Sequence, residues 1–190
     1  MLIDAPYEDA RRTSGVYCLV LRVARACHIT LTRRGTCRIE RGWYVYTGSA
    51  RRNLRPRLLR HLRRRKRFHW HIDRLRAVAS VQQVWVWPWA AGGECRTNAM
   101  VRHMPDATYP VRGFGASDCR CFAHLVSFPS EPVPPDHGAP FTCRARGGRV
   151  LAASIRRHPA KRKPGLVLKS GPWPASRRAG LTAPAMRRIL

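Results

Sequence analysis

Every segment able to build a hydrophobic core lies ahead of Phe128, and that distribution limits what the chain can fold into. Before this point, short runs rich in β-branched and aromatic residues recur: Gly15-Val-Tyr-Cys-Leu-Val-Leu21, Cys27-His-Ile-Thr-Leu31, Thr36-Cys-Arg-Ile39, Gly42-Trp-Tyr-Val-Tyr-Thr-Gly48 and Val81-Gln-Gln-Val-Trp-Val-Trp87. Each reads as a strand. Cys27–Leu31 and Thr36–Ile39 flank Arg33-Arg34-Gly35, which suggests a hairpin. After Phe128 the pattern stops. Pro129-Ser-Glu-Pro-Val-Pro-Pro-Asp136 reads as a linker, no acidic residue follows Asp136, and thirteen basic residues lie between Arg144 and the end. That composition lacks a core-forming period and predicts disorder. The expectation is one folded domain over residues 14–128, with a proline-rich linker and basic tail over 129–190.

Three segments predict helices. From Arg51 to Arg67 there are ten basic residues and no acidic one, with Leu54, Leu58 and Leu62 forming a narrow apolar stripe. Asn53 is the expected cap, and Pro56 falls in the first turn, where proline is tolerated. A row of like charges four residues apart is unfavourable, so an anion is expected against Arg51, Arg52, Arg55, Arg60, Arg63, Arg64 and Arg67. His69-Trp-His-Ile-Asp-Arg-Leu75 continues into a short helix, and Gly92 to His103 reads as another, ending before Pro105. Strands interleaved with these helices give an α+β fold, a small mixed or antiparallel sheet flanked by helices, carrying a basic disordered C-terminal tail.

The charge selects the partner. Net charge is +27, far beyond what solubility needs. Nucleic acid offsets such self-repulsion, because each phosphate neutralised releases condensed counterions. Of the 37 basic residues 33 are arginines, whose guanidinium forks suit phosphate oxygens. No amphipathic anchor, apolar span or signal peptide is legible, so no membrane is expected and the location is cytoplasmic, with the nucleoid as the site of binding.

The seven cysteines read as free thiols or a metal site rather than a disulfide scaffold. Cys119, Cys121, His124 and Cys95 form a candidate zinc set, although the spacing is not that of a common finger. Carboxylates in the expected core are few: Glu40, Asp73, Glu94, Asp106 and Asp118. A lone glutamate near a basic surface suits a one-metal phosphodiesterase site rather than a two-metal one. His69, His71 and Asp73 read as a structural hydrogen-bond network. Trp85, Trp87 and Trp89 could stack on bases, but a Val-Trp-Val-Trp strand more often buries one face.

Several short motifs occur in order: Gly15-Val16-Tyr17, Tyr46-Thr47-Gly48-Ser49-Ala50, Arg57, Arg60-His61, His69-Trp-His-Ile-Asp73, Glu94-Cys95 and Gly113-Phe-Gly-Ala-Ser-Asp-Cys-Arg-Cys121. The set resembles the GIY-YIG nuclease superfamily over roughly residues 14–128, and within it the subfamily called domain of unknown function 123. The resemblance implies a divalent-metal-dependent endonuclease acting on DNA. In that role Tyr17 is the general base or water-orienting phenol, Tyr46 its partner and Arg57 the phosphate-steadying arginine. His61 polarises the phenol, and Glu94 is the ligand of Mg2+ or Mn2+. Asn98 is a candidate supporting group. Twenty-eight residues separate Tyr17 from Tyr46, a long gap that an inserted hairpin explains, and Tyr44 is an alternative of the same strand parity. The rival readings are a non-catalytic nucleic-acid-binding module and an accessory partner of a DNA repair enzyme, since the subfamily resembles domains fused to endonuclease III.

Overall fold

The computed structural model describes residues 14–31, 35–87, 89, 93–135, 141–146 and 149–151. The elements run β1 (Gly15–Val23), β2 (Cys27–Leu31), β3 (Gly35–Ile39), β4 (Gly42–Ala50), α1 (Leu54–Leu62), α2 (His71–Val78), β5 (Ser80–Trp87), α3 (Gly93–Arg102), β6 (Leu125–Phe128), β7 (Phe141–Arg146) and β8 (Arg149–Leu151). The class is α+β, as expected. One sheet has the order β6-β4-β1-β5-β7-β8 with every pairing antiparallel, and β2 and β3 form a separate hairpin. That hairpin is the insertion that lengthens the Tyr17–Tyr46 gap: β1 and β4 still pair directly across it, from Gly15↔Ala50 to Val23↔Gly42.

The two-residue period of the central strands divides the core between the two faces of the sheet. Tyr17, Leu19, Leu21, Tyr44 and Tyr46 point to one side, where they pack with Leu54 and Leu58 of α1 and Ile72 and Leu75 of α2. Cys18, Val20, Val45, Trp85 and Trp87 point to the other, against Val101 of α3. Trp85 and Trp87 are therefore core residues, 0% and 1% exposed, while Trp89 is partly exposed beneath Arg51.

Three expectations need correction. Asn53 adopts a left-handed backbone (φ 58°) and its side chain makes no cap. It turns the chain from β4 into α1 instead, a conformation asparagine tolerates better than most residues. The basic helix ends at Leu62 rather than Arg67. Beyond it Lys66 Nζ folds back to the carbonyls of Arg60 and His61, and buried Arg76 donates to those of His61, Leu62 and Ala79. Cations thus stop the helix by satisfying its orphan carbonyls. Lastly, the sheet continues past the expected boundary at 128, because β7 pairs with β5 from Gln83↔Arg144 to Val86↔Phe141 and β8 pairs with β7. Phe-Thr-Cys-Arg-Ala-Arg does alternate apolar with polar residues, but the surrounding prolines and arginines obscure that period. The expected tail beyond Leu151 lies outside the described residues. Among them, no helix is long and apolar enough to cross a membrane.

Candidate functional site

Strand register brings the two motif tripeptides together. Tyr17 lies directly across from Gly48, and a Cβ at Gly48 would sit 2.6 Å from the Tyr17 hydroxyl. Only glycine lets the phenol lie across β4. Tyr46, on the same face, stacks edge-on against His61 and Phe114, with ring centroids 6.4 and 6.1 Å away. Gly115, at φ +70°, gives it room, since a Cβ there would meet the Tyr46 ring at 2.8 Å. Tyr44 shares the face, but its hydroxyl donates to the Glu40 carbonyl. Tyr46, not Tyr44, is the tyrosine beside Tyr17 and His61.

His61, buried on the inner side of α1, meets the Tyr17 hydroxyl through Nε2 at 2.7 Å. Its Nδ1 has no hydrogen-bond partner and lies 4.0 Å from Asp73 Oδ1, too far for a bond but near enough for the carboxylate's field to favour a proton there. The Tyr17 hydroxyl is then the donor and Nε2 the acceptor. Burial, reinforced by Lys66 and only partly opposed by Asp73, lowers the His61 pKa to about 3, so the ring is neutral at physiological pH. Burial likewise raises the Tyr17 pKa well above its ordinary value, although Arg57 opposes the shift. Tyr17 is a protonated phenol in the free protein.

Asp73 anchors this face. Burial alone would raise its pKa, but a bidentate pair with Arg60 (3.0 and 2.9 Å), Lys66 at 2.9 Å and the backbone N–H groups of His69 and Trp70 hold the carboxyl well below the usual range. The expected His69-Trp-His-Ile-Asp network is thus centred on Asp73. His71 Nδ1 accepts instead from the Gly115 backbone. The Trp70 ring carries cation–π contacts with Arg57 and Arg60, whose guanidinium carbons are 5.0 and 4.3 Å from its centroid.

The arginines expected against an anion therefore separate. Arg51, Arg52, Arg55, Arg63, Arg64 and Arg67 are exposed. Arg60 is engaged by Asp73, the Arg67 carbonyl and Trp70, which corrects its reading as a surface phosphate contact. Arg57 is half-buried, its Nη1 donating to the Ser49 carbonyl at 2.9 Å.

Glu94, in the first turn of α3, reaches across to the end of β4. Its Oε2 accepts from the Ser49 hydroxyl at 2.5 Å, and its Oε1 lies 2.6 Å from His124 Nδ1. A carboxylate only accepts, so Nδ1 carries the proton and His124 Nε2 presents its lone pair the other way. That lone pair faces Cys119 Sγ at 3.5 Å and Cys95 Sγ at 3.9 Å. With Cys121, the four donor atoms all lie within 4.8 Å of one another. A tetrahedral ion with Zn–S near 2.3 Å and Zn–N near 2.0–2.1 Å requires an N···S edge of about 3.6 Å and an S···S edge of about 3.8 Å. The Cys3His cluster can bind a metal such as zinc. Burial first, then its hydrogen bonds with Cys121 and Cys119, raises the Cys95 thiol to about 12.

The backbone places His124 as firmly. Its carbonyl accepts from Thr47 N–H at 2.9 Å, its N–H donates to the Phe114 carbonyl at 2.7 Å, and Asn98 Nδ2 holds the adjacent Ala123 carbonyl at 2.8 Å. Asn98 therefore supports the cluster. Tyr17, Tyr46, Arg57 and His61 meet on one face of the sheet, and Glu94 joins them through Ser49, whose carbonyl and hydroxyl bind Arg57 and Glu94. Sequence reasoning assigned no role to Ser49, Lys66 or Trp70. Ser49 was legible only as a member of the Tyr46–Ala50 motif, with no contact assigned to it.

Neither a curated protein nor a solved structure matches the chain. A family model does, from residue 16 to residue 138, a span that includes the Tyr17, His61 and Glu94 positions and the whole cysteine cluster. The chain belongs to the family described as domain of unknown function DUF123.

Proposed function

We propose that this protein is a divalent-metal-dependent endonuclease of the GIY-YIG kind that hydrolyses phosphodiester bonds in DNA, at the nucleoid. The observation that carries this reading is the 2.7 Å contact between Tyr17 and His61, residues of different elements 44 positions apart. It aligns a phenol with a neutral imidazole whose far nitrogen faces Asp73. His61 is set to draw the phenolic proton as Tyr17 engages an attacking water. Arg57, held by the Ser49 carbonyl and Trp70, adds charge that strengthens as the phosphorane-like transition state forms. The exposed arginines from Arg51 to Arg67 supply sequence-independent attraction to the phosphate backbone.

The residues present fit two kinds of metal. Cys95, Cys119, Cys121 and His124 offer the soft donor set and close packing of a structural zinc site. Each oxygen of Glu94 accepts one hydrogen bond and keeps a second lone pair, and its side chain is 24% exposed. Glu94 can therefore hold magnesium or manganese with water and phosphate oxygens completing the shell. When bound, that ion supplies positive charge to the scissile phosphate and its leaving oxygen.

One observation favours the rival reading of a non-catalytic nucleic-acid-binding module or repair-enzyme accessory: Tyr17 is only 1% exposed in the free protein. Incubation with supercoiled, linear and branched DNA, with and without magnesium, separates the two. Tyr17→Phe keeps the packing and should lower the rate by ~10²-fold or more. Glu94→Ala should abolish cleavage while leaving DNA binding nearly intact. If well-folded Tyr17→Phe and Glu94→Ala proteins both cleave at the wild-type rate, the cleavage does not come from this site and the proposal fails; if the wild type binds DNA but cleaves none, the binding module stands instead.

A further inference from the structure

We infer that Glu94 is the outer carboxylate of the Cys3His metal centre: it orients His124 for zinc and, through Ser49, couples occupancy of that centre to the Tyr17–Arg57 pocket on the other side of β4. The inference rests on the zinc reading of the cluster given above. It gives Glu94 a positioning role toward this second centre, beyond holding the catalytic cation.

The connection can be followed atom by atom. His124 Nδ1–H donates to Glu94 Oε1, leaving Nε2 free as a ligand beside Cys119 and Cys95. Glu94 Oε2 accepts from Ser49 Oγ, and the carbonyl of Ser49 accepts from Arg57 Nη1. His124 is 1% exposed, so its ring cannot obtain this partner from bulk water. A metal-bound histidine that donates its other nitrogen to a carboxylate is fixed in tautomer and orientation and becomes a more basic ligand. The backbone reinforces the link, because the His124 carbonyl accepts from Thr47 N–H, two residues before Ser49.

Charge bookkeeping permits both metals. Zinc with three thiolates and a neutral imidazole carries a formal charge of about −1. Such a centre does not repel a second cation at Glu94. It also replaces three crowded thiols with a rigid unit against which Glu94 and the end of β4 are held. Loading the cluster should therefore be felt on the Tyr17 side of the sheet.

The test uses the full chain, purified without chelators. Zinc content is measured first, then affinity by competition with a chelator of known strength at fixed pH. Wild type should hold one zinc, and Glu94→Gln should bind it about 10–100-fold more weakly. Ser49→Ala, which keeps the Glu94–His124 contact, should stay within a few-fold of wild type. The coupling is read by NMR of the imidazole rings as zinc is added to metal-free protein. In wild type the His61 resonances should move in step with those of His124. In Ser49→Ala the His124 response should persist while that of His61 disappears. A merely structural Ser49 would leave the two responses together. Equal zinc affinity in wild type and Glu94→Gln, or an unaltered His61 response in Ser49→Ala, overturns the inference while leaving the zinc reading intact. A wild-type protein that neither contains nor takes up zinc overturns both, and DNA cleavage is scored independently of either.

Discussion

The surroundings of Asp73 and of His124 are built on opposite plans. Around Asp73 the chain supplies every balancing group itself: a bidentate arginine, a lysine and two backbone N–H groups meet one fully buried carboxylate. Around His124 three thiols converge on the imidazole, and Glu94 is the carboxylate that orients the ring. The first region is finished when the chain has folded. The second is a set of donors that a metal such as zinc could complete. The Tyr17 cluster stands on the self-balanced side, and Ser49 and Glu94 link its arginine to the other.

The largest expected effect comes from breaking the self-balanced side. Arg60→Ala leaves Asp73 buried with Lys66 and two N–H groups, and removing a partner of a buried pair costs roughly 3–5 kcal/mol. Arg60 is 28% exposed and Lys66 remains, so about 3 kcal/mol is expected. Denaturant unfolding should show this loss equally with and without zinc. A loss that appears only with zinc would mean the two regions are not built independently.

Acid should act next, and on the same side. His61 has a folded pKa of about 3 against an ordinary 6.5, so between those values the unfolded chain holds a proton that the folded chain lacks. Stability is then complete above about pH 6.5 and falls as pH drops toward 3, by a few kcal/mol at most. Asp73, held below its ordinary value of 3.8, adds a further loss once the pH falls below about that value. Melting temperature against pH in metal-free protein should show the His61 component, and His61→Gln should flatten it. A profile in that window that His61→Gln leaves unchanged would mean His61 is not held neutral.

The smallest effect sharpens the contrast. In metal-free protein Cys121→Ser should change stability by less than about 0.5 kcal/mol, as for other substitutions that break no buried network. The same change should remove whatever stabilisation zinc confers. A large loss in the metal-free state would show that the thiols already act as a packed core.

The sequence carried much of this. Tyr17, Tyr46 and His61 were legible because short motifs sit at strand ends and a leucine stripe orients the following helix. The two tryptophans of Val-Trp-Val-Trp were legible as core because β-branched neighbours leave little else for them. The Cys95–His124 set was legible as residue types, yet not as a certain site, because its spacing follows no common pattern. What stayed hidden depends on contacts between residues far apart in sequence. Nothing local to Ser49 indicates that it holds Glu94 with its hydroxyl and Arg57 with its carbonyl. Nothing local to Lys66 distinguishes it from the arginines around it, although it turns back to end α1 while Arg63, Arg64 and Arg67 remain exposed. β7 was hidden for a related reason: a strand recruited by the edge of β5 needs only a compatible backbone, and its weak alternation lies among prolines and arginines.

The pairing of β7 with β5 also bears on how the protein behaves outside the cell. Without residues 141–146, Gln83 to Val86 would lose their neighbour, and a long apolar strand would present its free backbone groups to any other chain. A truncated version ending at the proline-rich stretch would then be prone to strand-to-strand aggregation, whatever the integrity of the Tyr17–His61 cluster. β7, paired onto β5, and β8, paired onto β7, therefore close that edge of the sheet.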